Sequence, residues 1–327
     1  MGMRFLGVGS PLIDLLAHVD DAFLVRHVPG EKGGMLMVEP GFHEEILRHC
    51  PQAPARVPGG STGNTIFALA QLGEQVAMFG KLGRDENGDF YRRRLHELGG
   101  STDEFVVTDA APTGVCLAMI TPDAERTMRS ALGASLLLTA DEAAAVDFRR
   151  YDFVYIEGYM LYSPACLPLL QGARAAGCRI GFDLASFEVV RDFRDQLPGL
   201  LREYVDVLFA NADEAGELLG RDSDVDAWLE QLSAWCDIAA VKLGRRGSVI
   251  RRGGETVHVQ ALVVDSPVDT TAAGDLWAAG FLHGLSTGAD LRRAGELGSL
   301  LSSEVVKVVG SELPAPVWQA LRRRIES

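Results

Sequence analysis

Val263–Gly284 reads VVDSPVDTTAAGDLWAAGFLHG. The β-branched opening predicts the end of an apolar strand and Ser266-Pro267 a turn. Asp269-Thr270-Thr271-Ala272-Ala273-Gly274-Asp275 predicts a loop of small residues. Leu276, Ala279, Gly280 and Leu282 to Leu285 then recur at helical spacing. A loop that opens a helix leaves backbone N–H groups unpaired. With the positive end of the helix dipole behind them, such groups form an anion site, typically for phosphate. Ala272, Ala273 and Gly274 are placed to supply those donors. Asp275 is out of place in such a cradle, because a carboxylate repels phosphate. It belongs there if it takes a proton from a hydroxyl attacking phosphorus. The competing reading is structural: small residues for close packing and an acid that complements the dipole. That suffices for an isolated Gly-Asp, but the full phrase between strand and helix favours chemistry.

The 327 residues are 47% apolar, enough for one large core or two unequal domains. A net charge of −14 argues against nucleic-acid and anionic-membrane partners, which demand a basic face. The five cysteines form no CxxC pair and the seven histidines no HExxH, so neither a disulfide framework nor a zinc site is expected. Asp14 interrupts the only early apolar run. A cytoplasmic protein without signal peptide or membrane span is expected.

Phe5–Ser10 predicts a buried first strand, but Leu12 breaks any dinucleotide fingerprint begun by Gly7-Val8-Gly9. Apolar runs at 152–157, 179–184, 205–210 and 238–243 alternate with helical stretches near 163–176, 186–202, 212–219 and 224–235. Two more helices follow near 291–308 and 315–325. This alternation predicts an α/β fold with a doubly wound, mostly parallel sheet flanked by helices. Ligands are then expected at the carboxyl ends of strands. Met35–Val38, Thr113–Thr121 and Glu125–Leu132 predict a small β-sheet lid that is discontinuous in sequence, with the methionines as ordinary packing. A single domain over 1–327 is expected, with the lid from about 14–57 and 103–130 and the core from 1–13, 58–102 and 131–327.

Several residues stand out from their elements. Asp14 is polar inside an apolar run, either bonding local backbone or facing a ligand. Pro58-Gly59-Gly60-Ser61-Thr62-Gly63-Asn64 opens a helix that ends at Gly73; Gly60 lets a ligand approach the backbone, and Ser61 suits an N-cap. Asn211-Ala212-Asp213-Glu214 follows a strand end. On its residues alone it reads as a helix cap. Gly244 and Gly247 suit a turn against a nucleotide or a plain hairpin.

In this order and spacing the motifs resemble the ribokinase-like (PfkB) carbohydrate and nucleoside kinases over essentially the whole chain. Asp269–Asp275 is similar to the family's C-terminal signature, with Ala272 where members carry Gly or Ala. Gly60 and Asn64 match its N-terminal signature. Gly-Gly-Ser-Thr-x-Asn, Glu125-Arg126-Thr127-Met128, Glu157-Gly158-Tyr159 and Phe209-Ala210-Asn211 together resemble bacterial adenosine kinase-like members.

The resemblance implies an ATP-dependent phosphotransferase acting on the primary hydroxyl of an adenosine-like ribonucleoside. Asp275 would be the base, with Ala272, Ala273 and Gly274 as anion hole. Asp14, Gly60, Ser61, Asn64 and Arg126 would bind the substrate. Asn211, Glu214, Gly244 and Gly247 would serve ATP and Mg²⁺, with Glu214 holding the metal through water. Potassium is implied near Asp265 and Thr271, and nucleotide-base contacts near Ser302 and Ser303. Lys242 stands where relatives have Thr, and no role follows for it. A sugar kinase for ribose, fructose or 2-keto-3-deoxygluconate is the alternative enzyme. A non-catalytic nucleoside- or sugar-binding protein of the same fold is the alternative class. Either a monomer or a homodimer is compatible.

Overall fold

Near-continuous apolar runs become the middle of a nine-stranded sheet. The computed structural model describes residues 2–39, 41–123, 125–221 and 224–326. Its strands are β1 (Arg4–Val8), β2 (Leu12–His18), β3 (Met35–Met37), β4 (Ala55–Gly59), β5 (Gln75–Gly83), β6 (Phe105–Thr108), β7 (Thr113–Ile120), β8 (Arg126–Gly133), β9 (Phe153–Glu157), β10 (Arg179–Asp183), β11 (Val207–Asn211), β12 (Ile238–Lys242), β13 (Ser248–Arg252) and β14 (Glu255–Val259). The large sheet runs β14-β13-β12-β11-β10-β9-β1-β5-β6 and is parallel from β12 to β6. Two antiparallel hairpins close its other edge.

Side chains of a strand alternate between faces, and here both faces are covered. Phe5, Tyr155, Phe209, Ile238 and Ile250 pack into one layer with the helices Ser61–Gln71, Ala273–Ser286 and Leu291–Val305. Leu6, Val8, Ile156, Leu208 and Val241 pack into the other with Cys166–Ala175, Leu197–Tyr204 and Val225–Ser233. Each such side chain contributes about 1.5–3 kcal/mol on burial. The smaller sheet, β3-β8-β7-β2-β4, has its own core around Ala17, Phe23, Leu117 and Met119.

The structure departs from the sequence reading in identifiable places. Val263 and Val264 form no strand; the chain leaves the sheet after β14, and Val263 is exposed. The stretch 186–202 is two helices, Phe187–Asp192 and Leu197–Tyr204. Phe193 ends the first, and Pro198, in the first turn of the second, restarts the run. Residues 105–108 form β6, which pairs with β5 in the large sheet, so this part of the expected lid belongs to the core. The smaller sheet begins at Leu12, and β4 extends it to Gly59. Met35, Leu36 and Met37 remain about half exposed on its edge instead of packing inward. No helix among the described residues is long and apolar enough to cross a membrane.

Two close approaches position the site. The helix Ala273–Ser286 packs against both Ser61–Gln71 and Leu291–Val305. A Cβ on Gly280 would stand 2.5 Å from the carbonyl oxygen of Leu297, so the backbones meet there without a side chain between them. Gly60, before the helix Ser61–Gln71, has φ +86°, and a Cβ on it would lie 2.3 Å from the Ser10 carbonyl. Only glycine fits both demands. Gly280→Ala is expected to cost about 1–3 kcal/mol by overpacking, read as a lower denaturation midpoint. Gly199→Ala, in a helix with open space around it, should be neutral or stabilising by up to about 1 kcal/mol.

Candidate active site

The loop before helix Ala273–Ser286 is built around a buried acid. Asp269 accepts the N–H of Thr271 (3.0 Å) and of Gly310 (2.7 Å). The Arg126 guanidinium lies 2.9 and 2.7 Å from its two oxygens and also donates to the Thr271 hydroxyl. Burial acts to raise the Asp269 pKa, but the N–H donors and Arg126 outweigh it and hold the group below its ordinary value. Arg126, at the start of β8, therefore ties the smaller sheet to this loop. The hydroxyl of Thr271, a potassium candidate, is committed to that contact, while Asp265 is exposed.

Ala272 precedes the helix and offers no side-chain cap. The N–H groups of Ala272 and Gly274 have no partner among the described residues. The N–H of Ala273, expected beside them, instead closes a turn on the Thr270 carbonyl at 3.2 Å. Thr270 lies within reach because Asp269 folds the loop back.

Asp275 sits one residue further. Its carboxylate accepts from the Ser61 hydroxyl (2.8 Å) and the Asn64 amide (2.8 Å), while Thr65 donates to its backbone carbonyl (3.2 Å). Burial pushes the Asp275 pKa up to about 7; Asn64 and Ser61 lower it, Asp183 raises it and Lys242 lowers it. Ser61 thus spends its hydroxyl on Asp275 and not on capping its own helix. Asn64 keeps a buried amide oxygen without a partner. That orphan acceptor suits a hydroxyl donor.

Asp14, on β2, lies against Gly59, where a Cβ would be 2.4 Å from its carboxylate. Its carboxylate has no hydrogen-bond partner among the described residues. Burial raises its pKa to about 6, Arg126 opposing and Asp269 adding to the shift.

Strand ends supply the other wall. Asn211 and Glu214 form a reciprocal capping box: the Glu214 carboxylate accepts from the Asn211 N–H (2.8 Å) and side-chain amide (2.6 Å), and Asn211 accepts the Glu214 N–H (2.9 Å). Burial and the nearby Asp183 raise the Glu214 pKa. Gly244 and Gly247 have φ +59° and +89°. A Cβ on Gly247 would strike the Val259 carbonyl at 2.0 Å, so glycine is required here by the end of β14, which packs against the β12–β13 turn. These residues line a cavity of about 520 Å³ that reaches Gly274 and Asp275. Ser302 and Ser303 line it too, with the Ser303 hydroxyl already bonded to the Leu300 carbonyl at 2.8 Å.

Sequence reading missed Asp183, and it used Glu157 only as part of the resemblance, without a role. Both end buried parallel strands, the position where open α/β sheets gather ligands, and that was the available signal. The Glu157 carboxylate accepts the N–H groups of Ser10 (2.9 Å) and Thr62 (2.8 Å), pinning the β1 end to the Ser61 helix.

An anion-binding helix start with an embedded carboxylate, facing a cleft at strand ends, defines a phosphotransferase-type site. Residues 38–318 match the pfkB family carbohydrate kinases. The Dictyostelium discoideum adenosine kinase is 27% identical over 336 residues, covering 96% of this chain and 97% of that protein. The crystal structure of adenosine kinase from Sinorhizobium meliloti superposes with TM-score 0.86 at 32% identity, covering 99% of this chain and 100% of that one. A probable sugar kinase from Rhizobium etli gives TM-score 0.86 at 29% identity over 99% of both chains. The chain belongs to the pfkB family of carbohydrate kinases and is an ATP-dependent kinase acting on a hydroxyl.

Asp269→Ala removes the acceptor for Arg126 and for two backbone N–H groups. It is expected to cost about 3–5 kcal/mol, seen as a lowered thermal midpoint even without ligands.

Proposed function

We propose that the chain transfers the γ-phosphoryl of ATP to the primary hydroxyl of a ribonucleoside of the adenosine class. The observation that carries this reading is the Asp275 carboxylate, held by Ser61 and Asn64 at the mouth of an anion-binding helix start. The adenosine kinases from Dictyostelium and Sinorhizobium, similar over nearly their whole length, support the nucleoside acceptor. The Rhizobium relative favours a second reading, a sugar acceptor on the same machinery.

In this mechanism the acceptor oxygen attacks the γ-phosphorus as the bond from phosphorus to the β-bridging oxygen breaks. ADP leaves with that electron pair, and Asp275 receives the hydroxyl proton. The unpaired N–H groups of Ala272 and Gly274 stabilise charge on the transferred oxygens. Asp14, free of protein partners, accepts hydroxyls of the ribose, and the orphan amide oxygen of Asn64 accepts another. The smaller sheet acts as the lid that excludes water, anchored through Arg126 and Asp269.

For Mg²⁺, no group of three or more His, Cys, Asp or Glu among the described residues could hold an ion directly. Both Glu214 oxygens are occupied in the capping box. Asn211 and Glu214 would hold a hydrated ion through its waters, and such an ion would neutralise phosphate charge.

Because only the carboxylate form of Asp275 can take a proton, kcat/KM should rise with pH through about 7 and level off above it. Asp275→Asn should remove this acid limb and lower kcat by about 10² or more, while ATP affinity stays near wild type. Retention of most of the rate would remove Asp275 from the base role.

ADP release should be measured with ATP-Mg²⁺, with and without potassium, against adenosine, inosine, cytidine, ribose, fructose and 2-keto-3-deoxygluconate. Turnover on a nucleoside alone is the expected result; turnover on free sugars alone would move the acceptor to the sugar class. On the true acceptor, Asp14→Ala should raise KM by about tenfold or more with kcat little changed.

A further inference from the structure

Lys242 ends β12 and Asp183 ends β10, on either side of the β11 end that carries Asn211. The Lys242 Nζ lies 2.9 Å from Asp183 Oδ2, and the two side chains are only 15% and 4% exposed. Asp183 is fully held: its Oδ1 accepts the Ala185 N–H at 2.9 Å, and its Oδ2 also receives the Tyr155 hydroxyl at 3.4 Å. Ala185 adopts φ +68° to make that contact. A non-glycine residue in this region is uncommon, and such strain recurs where a functional group must be fixed.

An ammonium has three N–H donors. Lys242 gives one to Asp183 and has no other hydrogen-bond partner among the described residues. Its Nζ lies against the anion loop, since a Cβ on Gly274 would be 3.2 Å from it. The same cavity wall carries three carboxylates, Asp183, Glu214 and Asp275. A polyphosphate entering beside them meets repulsion unless a cation stands between; Arg126 is spent on Asp269 and Arg245 lines the same cavity, while Lys242 is the cation whose Nζ lies against Gly274.

We propose that Lys242 contacts the terminal phosphates of the bound nucleotide through its two unspent N–H donors, with Asp183 holding the ammonium in position. Lys242 is then a phosphate-contacting residue and Asp183 a positioning residue. Burial works to lower the Lys242 pKa, but Asp183, Glu214 and Asp275 outweigh it and keep the group charged. The inference rests on the placement of the nucleotide in this cleft and is independent of which acceptor is used.

The alternative is that Lys242 only neutralises its buried neighbours. Two variants separate these roles, Lys242→Met and Lys242→Met combined with Asp183→Asn, which removes the charge left unpaired by the first. Calorimetry without metal should follow ATP, AMP and tripolyphosphate, beside the thermal midpoint and the transfer rate. Lys242→Met is expected to weaken ATP and tripolyphosphate by about tenfold or more and leave AMP, which lacks the outer phosphates, near wild type. The double variant should recover thermal midpoint without recovering triphosphate affinity or rate. Recovery of affinity and rate together would overturn the proposal and leave a counterion. Equal loss for AMP and ATP would overturn it as well, since the effect would not lie at the outer phosphates. Failure of the wild type to bind ATP or tripolyphosphate would overturn the placement of the nucleotide, and the proposal with it.

Discussion

A carboxylate buried where two helices begin is the constraint on which the rest depends. Asp275 can remain there only because Ser61 and Asn64, from the first turn of another helix, donate to it. Those donors reach it because the helices Ser61–Gln71 and Ala273–Ser286 start side by side. Gly60 lets the first of these helices begin against the Ser10 backbone, and Gly280 lets the second close on the helix Leu291–Val305. Unpaired buried charge is costly, so residues far apart in sequence are bound to one geometry by one acid. The position also leaves Asp275 titrating near neutrality, where a carboxylate can both lose and accept a proton.

The cleft is a problem of charge balance. Asp183, Glu214 and Asp275 surround a space that must admit polyphosphate, with Lys242 seated among them. Glu214 is engaged in its own helix cap, so its carboxylate is fixed rather than free to capture a bare metal. Asp269 and Arg126 form a second buried pair at the loop's entrance and link it to the smaller sheet. Pairing of this kind does more to fix geometry than to add stability. A site that must discriminate a phosphate geometry uses it for that reason.

Much of the fold was legible in the sequence because periodicity reports burial. The parallel core strands, the helix Ala212–Leu219 and the Asp269–Asp275 loop appear where composition and spacing placed them. Local reading failed where tertiary context decided. Val263 and Val264 look like a strand but find no neighbouring edge. Residues 105–108 carry no mark that assigns them to the large sheet rather than the small one. Of the site, the individual motifs could be read, but their partners could not. Ser61 and Asn64 were expected at the substrate and also hold Asp275; Arg126 was expected at the substrate and is tied to Asp269.

By itself the sequence determined the fold class and the family, because strand and helix periods and glycine-rich loops are local properties. It also determined which residue types bear chemistry. Only the tertiary structure decided what each side chain faces. Asp183 and Lys242 are 59 positions apart in sequence, and nothing in either strand alone announces the other. They meet because β10 and β12 lie on either side of β11. Lys242 keeps its charge against burial through Asp183 and the other carboxylates around it, a property of three dimensions.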